Sequence, residues 1–273
     1  MSAEDFAFAI DITDQMNWEL TEADFAFMLG LEPEGCFVLL DNSEKVGIAT
    51  TVSFGQLGWF GNLIVEGDKR EKGGGSLLVT HALKYLAAKR VESVGLYAYP
   101  SKIPFYTRLG FKYDSDFVVL KGKGTVSSIT AGISKVGKGS LKKIIDFDQD
   151  CFGVSRRKVL EPILFDSSNL CYMMVDGEQL LGFIAGKVFG KAAELGPLAC
   201  RSGRSDVAIS LINATLNRLS DSEVSLYLHQ REASILDTLM KRGFSESFKV
   251  SRMFHGPPIT KDCIYAAESL ERG

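Results

Sequence analysis

The sequence predicts an α/β chain, with mixed α+β sheets flanked by helices and built twice over its 273 residues. Three observations carry this expectation. An aromatic and β-branched run at 58–65 (GWFGNLIV) is followed by a glycine turn and then by apolar residues at helical spacing, which is strand, turn, helix. Two further strand-like runs, 35–40 and 46–54, flank the turn-rich Asp41-Asn42-Ser43-Glu44 and read as a hairpin. The third observation is duplication. Residues 176–184 (DGEQLLGFI) echo 42–49 (NSEKVGIA), and Lys241-Arg242-Gly243-Phe244 echoes Arg108-Leu109-Gly110-Phe111. Gly47 and Gly110 lie 63 positions apart and Gly182 and Gly243 lie 61 apart, so two halves share one layout.

Taken in order, residues 6–12 alternate like a strand, and Thr21-Glu22-Ala23-Asp24 is a capping-box start to a short helix ending near Leu29. The hairpin and the 58–65 strand follow. Leu77, Leu78, Ala82, Tyr85 and Leu86 then mark one face of a helix over 76–90, with Lys89 and Arg90 at the end where cations complement the dipole. A strand is expected at 93–99, a short helix at 103–109 capped by Gly110, and a closing strand at 117–120. The stretch 121–139 (KGKGTVSSITAGISKVGKG) is rich in Lys, Gly, Ser and Thr. A linker is therefore expected at 123–139, between domains at 1–122 and 140–273. Its lysines suit a solvated connector better than a phosphate or nucleic-acid patch.

Composition narrows the function. A net charge of −3, a pI near 5.7 and 45% hydrophobic residues describe a globular chain without a broad basic surface, so nucleic acid is not an expected partner. No apolar run approaches membrane-spanning length and the N-terminus lacks a basic leader, so the expected location is cytoplasmic with no membrane contact. Five scattered cysteines without a C-x-x-C pair suggest neither a disulfide framework nor zinc, and read as reduced and mostly buried. With only three histidines, neither a metal site nor a Ser-His-Asp triad is expected, and His81 reads as a satisfied or solvent-facing side chain.

The chemistry concentrates in Arg70-Glu71-Lys72-Gly73-Gly74-Gly75. Three glycines let the backbone bend with several N–H groups pointing inward at the positive end of the following helix, which suits a phosphate group. On the hexapeptide alone a flexible turn explains the glycines equally well; the strand before and the helix after favour phosphate. The pattern, Arg-x-x-Gly-x-Gly, is neither an ATP-type P-loop nor a dinucleotide turn.

With these segments in place, the first half resembles the GNAT superfamily of N-acetyltransferases, whose signature is [RQ]-x-x-G-x-[GA]. GWFGNLIV, EGDKREKGGGSLL and PFYTRLGF occur in the family's order and spacing, and the resemblance covers roughly residues 6–122. The second half resembles a divergent GNAT-like domain of a tandem protein. It has Arg201-Ser202-Gly203-Arg204 where the first half has its glycine cluster, so its phosphate site reads as lost.

The resemblance implies two mixed, mostly antiparallel sheets, each with a splayed parallel strand pair. It also implies acetyl-CoA as co-substrate, held by the strand edge at Leu63, Ile64 and Val65 and by the loop Arg70, Glu71, Lys72, Gly73, Gly74, Gly75 and Ser76. Gly73 and Gly75 are implied to matter because a Cβ at either site would push the backbone off the phosphates. Tyr106 is the implied acid for the departing thiolate, against a purely packing role beside Phe105 and Phe111. Glu66, Glu34 and Asp114 are candidate bases, and Asn62 stands where some relatives have an acidic residue. The expected activity is N-acetylation of a small-molecule or peptide amine, without metal and with homodimerisation left open. The rival reading is an acyl-CoA-binding regulatory or scaffold protein.

Overall fold

The computed structural model describes residues 1–126, 131–258 and 261–273. The first half runs α1 (Phe6–Asp14), α2 (Glu22–Leu31), β1 (Cys36–Asp41), β2 (Glu44–Phe54), β3 (Leu57–Val65), α3 (Gly74–Ala88), β4 (Ser93–Ala98), α4 (Ile103–Arg108) and β5 (Lys112–Lys123). After β6 (Ile133–Lys135) the same order returns. It runs α5 (Leu141–Phe152), α6 (Arg157–Phe165), β7 (Leu170–Asp176), β8 (Gln179–Phe189), β9 (Ala192–Arg201), α7 (Ser205–Leu216), β10 (Glu223–His229), α8 (Ala233–Met240) and β11 (Ser245–His255). A last strand, β12 (Cys263–Ala266), has no counterpart in the first half. The duplication seen in the sequence is thus a duplication of structure.

Two expectations change. Residues 6–12 form α1, not a strand, because Phe6, Ala9, Ile12 and Thr13 recur at helical spacing and bury one stripe. A short apolar run fits both periods, and packing on α2 decides for the helix. Within the stretch read as linker, Ile133–Lys135 pairs with β7 at Tyr172, Met173 and Met174. Residues 127–130 of that stretch lie outside the described residues. The capping box holds, with Thr21 Oγ1 accepting from Asp24 N and Asp24 reaching back to Thr21 N at 2.8 Å.

The halves exchange strands. The described strands form one sheet in the order β1-β2-β3-β4-β11-β5-β10-β12-β9-β8-β7-β6. β11 of the second half runs between β4 and β5 of the first, pairing Phe254 with Gly95 and Val250 with Phe117. β5 in turn pairs with β10, Leu120 opposite Leu226. Neither half closes its sheet without a strand from the other, so the second half is a structural part of the first.

Helices cover both faces. On one face α3 and α4 bury Leu78, Val79, Ala82, Leu86 and Tyr106 against Phe60, Val65, Leu96 and Met253. On the other, α1 and α2 cover Ile48 and Ile64. Ile64 and Val65 are neighbours in β3 and join opposite cores, as strand alternation requires. Beside α1 and α2, the second-half helices α5 and α6 pack on Val52, Leu57 and Trp59 of the first half. No helix among the described residues is long and apolar enough to cross a membrane.

A buried carboxylate ties the halves at one end. Glu32 accepts from Tyr85 Oη and Lys89 Nζ of α3, both at 2.6 Å, from Lys158 Nζ of α6 at 2.8 Å, and from Ser53 N at 3.0 Å. Burial alone would raise its pKa, but Lys158, Lys89, Tyr85 and the Ser53 N–H outweigh it and hold the carboxyl at about 2, below its ordinary 4.5. A folded-state pKa below the unfolded one gives stability that is present above pH 4.5 and lost as pH falls toward 2. Glu32→Gln should destabilise the protein at neutral pH by about 1.5 to 3 kcal/mol, the range for a charge-assisted hydrogen bond. Melting temperatures from pH 7 to 2 check this: the gap to the wild type should close with acid, and a gap that stays constant contradicts the account.

Candidate active site

β3 and β4 start as parallel partners and then part. Their register covers only Leu57 with Ser93, Gly58 with Val94 and Trp59 with Gly95. Beyond Trp59, β4 continues along β11 while β3 stays on β2, so a wedge opens between two strand edges. On the β2 side the register shifts between Ile48 and Thr50, and Asn62 takes a left-handed φ of 51° at this bulge. Its buried amide donates to Thr50 Oγ1 at 3.2 Å, so Asn62 braces the bulge.

β3 delivers the chain into the glycine turn. Glu71 and Gly73 have φ of 63° and 87°, and this pair of left-handed residues turns the backbone into α3. Glycine is demanded at 73 by the dihedral angle. At 74 a Cβ would meet Leu39 Cδ2 at 2.8 Å, so the tip of that side chain would have to shift. At 75 a Cβ would stand 3.5 Å from Phe105, an ordinary contact within the protein. The first helical bond runs from Leu77 N to Gly73 O, so the N–H groups of Gly74, Gly75 and Ser76 precede it and are available to an anion. Arg70, Glu71 and Lys72 are exposed around them. Arg70 Nε donates to Val65 O at 2.8 Å, which ties the turn to the end of β3, and Nη2 reaches Met16 Sδ at 3.7 Å.

Tyr106 packs in the same core as Leu63, Val65 and Phe105. Its ring meets Phe105 and Phe111 edge-on, with centroids 5.0 and 5.7 Å away. Burial pushes its phenol well above the ordinary value, so it holds its proton at neutral pH. Leu63, Val65, Phe105 and Tyr106 thus share one core, while Ile64 faces the opposite one.

The second half has the same wedge and fills it with its own chain. β9 and β10 pair in parallel from Ala192 with Glu223 to Leu195 with Leu226, and β9 then bulges at Gly196 and Pro197. β12 runs into the opening, antiparallel to β9 from Cys263 opposite Arg201 to Ala266 opposite Leu198, with Ala266 also opposite Leu228 of β10. At the start of α7, Arg204 pairs with Asp206 at 2.7 Å, so a carboxylate stands in the first turn instead of open glycine N–H groups.

The chain then crosses to the first half. Glu271 lies so close to Gly61 of β3 that a Cβ on residue 61 would sit 2.7 Å from Glu271 Cα. Buried charges anchor this segment. Glu268, fully buried, bonds Lys187 at 2.6 Å and Arg272 at 2.7 Å, and Arg156 bridges Asp148, Tyr265 Oη and Gly273 O. Cys151 of α5 and Cys263 of β12 form a disulfide, which corrects the expectation of five reduced cysteines; Cys36, Cys171 and Cys200 are free and buried. Partners 112 positions apart leave no spacing signal in the sequence. Among the expected bases, Asp114 is paired with Arg252 at 2.8 Å and Glu34 is exposed. Glu271, against Gly61, was not among the bases expected from sequence.

Comparison with known proteins agrees with this geometry. One model described as an acetyltransferase (GNAT) domain matches residues 32–113, and a second model of the same description matches 144–266. The chain is a tandem GNAT acetyltransferase. A protein of Pyrococcus horikoshii described as an acetyltransferase superposes with a TM-score of 0.83 at 19% identity, covering 100% of this chain and 94% of that one. A GCN5-related N-acetyltransferase from Sphaerobacter thermophilus gives 0.68 at 14% identity, covering 96% of each chain. A tandem GNAT protein from the clavulanic acid biosynthesis pathway gives 0.64 at 13% identity, covering 94% of this chain and 96% of that one. These likenesses are of fold. No curated protein sequence matches. Among the described residues of this tandem GNAT chain, no group of His, Cys, Asp and Glu is arranged to hold a metal ion.

Proposed function

We propose that this tandem GNAT protein transfers the acetyl group of acetyl-CoA to a primary amine of a small molecule or peptide, in the cytoplasm, using the first half alone. The observation that carries this is the contrast between two wedges of one design. The first has a free strand edge, an open glycine turn and a protonated tyrosine beside it. The second is filled by β12. Leu63, Ile64 and Val65 would pair with the pantetheine arm, and the N–H groups from Glu71 to Ser76, with Arg70 and Lys72, would hold the pyrophosphate.

In the reaction the neutral amine attacks the thioester carbonyl, a C–N bond forms and the C–S bond breaks. The departing thiolate takes the Tyr106 proton. The acceptor must first lose its ammonium proton, and Glu271, whose backbone lies against Gly61 of β3, is the proposed base. Burial, above all, raises its pKa; Arg272 opposes and Glu194 adds to the rise. A base poised closer to neutrality than an ordinary carboxylate is suited to that task. Glu271→Gln should lower turnover by about a hundredfold with CoA affinity unchanged, within the usual range for general acid–base catalysis. Wild-type turnover in that variant removes Glu271 from the reaction.

Release of free CoA across a panel of amines tests the proposal as a whole. Amine-dependent release is expected; tight CoA binding without release from any amine favours the regulatory or scaffold reading.

A further inference from the structure

A cavity of about 310 Å³ lies away from the glycine turn, on the sheet face that α5 covers. That volume is at the small end of ligand pockets. Its walls come from both halves: Leu57 and Trp59 of β3, Asp114 and Ser115 of β5, Phe152 of α5, Arg252 and Phe254 of β11, and Tyr265 of β12. His229, Arg231 and Lys261 complete its polar side.

Three cations, Arg252, Arg231 and Lys261, line it, and two of them are ion-paired, Arg252 with Asp114 and Arg231 with Glu232. Asp114 takes Arg252 Nε at 2.8 Å, which leaves the other guanidinium nitrogens of Arg252 open. Arg231 gives Nε to Glu232 and Nη2 to Cys263 O and keeps Nη1. His229 adds a donor rather than a charge. Its Nδ1 accepts from Arg231 N at 3.1 Å, so the neutral ring carries its proton on Nε2. Burial, then Arg231 and Arg252, lower its pKa to about 4 and keep it neutral at pH 7. Trp59 is 1% exposed and its indole N–H has no partner among the described residues. A buried donor left unpaired is destabilising, and a bound acceptor would relieve it.

From this combination of three cationic side chains, the donors that the two ion-paired arginines keep, and apolar walls, we propose that the cavity between the halves binds a small organic anion, a carboxylate or phosphate head on an apolar body. The site is separate from the acetyl-CoA wedge and does not rest on the transfer reading.

The protein carries two tryptophans, so a Trp18→Phe background leaves Trp59, in the cavity wall, as the only indole reporter. Benzoate, phenyl phosphate and neutral benzamide are titrated against its fluorescence. A saturable change is expected with benzoate or phenyl phosphate, and the stronger of the two identifies the head group. Benzamide should bind at least about tenfold more weakly, and Lys261→Gln and Arg231→Gln, both at exposed positions, should each weaken the anion by about tenfold, the loss of one charged contact. No saturable response to either anion, equal affinity for benzamide, or unchanged affinity in both variants overturns the proposal. CoA calorimetry on the same variants should be unaltered, which separates failure of this site from failure of the acetyl-CoA site.

Discussion

Gly73→Val should lose CoA binding while the fold stands. The residue is exposed, with nothing within 4 Å of a Cβ placed there, so the side chain meets no wall. Its φ of 87° is the obstacle, because a β-branched residue cannot hold that conformation without strain. The turn must rearrange, and the N–H groups of Gly74, Gly75 and Ser76 lose their common direction. Calorimetry should show no binding, with a melting temperature close to the wild type. Two milder changes locate the effect. Gly75→Val places a Cβ in ordinary contact with Phe105, so any loss of affinity there comes from the ligand's side. Arg70→Ala should weaken CoA by about 1 to 3 kcal/mol, the range for a charge-assisted contact. Unchanged affinity in all three variants rejects the turn as the phosphate site.

Tyr106→Phe is the second large effect. It keeps the ring between Phe105 and Phe111 and removes the phenolic proton. If that proton goes to the departing thiolate, turnover at saturating acceptor should fall by roughly ten- to a thousandfold, with little change in CoA affinity. A structural tyrosine gives the opposite pattern, in which the Phe variant turns over normally and only Tyr106→Ala, which opens a cavity in the α3 core, loses stability. Measurement under conditions where chemistry limits the rate decides between them.

The first half was legible because its signals are local. The β3 run, the glycine turn, the amphipathic α3 and the Tyr106 helix each follow from residues within a few positions of one another. Residues 6–12 failed because seven apolar-rich residues satisfy strand and helix periods together, and only packing on α2 separates the two. What the sequence withheld is long-range. The exchange of β5 and β11, the Cys151–Cys263 bridge and the approach of Glu271 to Gly61 join residues more than a hundred positions apart, and the passage of β12 into the second wedge joins β9 and β12 residues 62 to 68 positions apart. Their side chains carry no mark of the pairing. Glu268 and Arg272 look like a solvated tail until Lys187 and Arg156 are placed around that segment. The missing glycines near Arg204 did indicate that the second half departs from the first; that its own strand fills the wedge is visible only in three dimensions.

The central claim is that one wedge is open to acetyl-CoA and the other is closed by the chain itself. Isothermal calorimetry of the full chain with CoA tests it most directly. One site per chain is expected, abolished by Gly73→Val and untouched by Arg204→Ala at the corresponding turn of the second half. Two equivalent sites, or a single site that survives Gly73→Val and is lost in Arg204→Ala, would contradict the account.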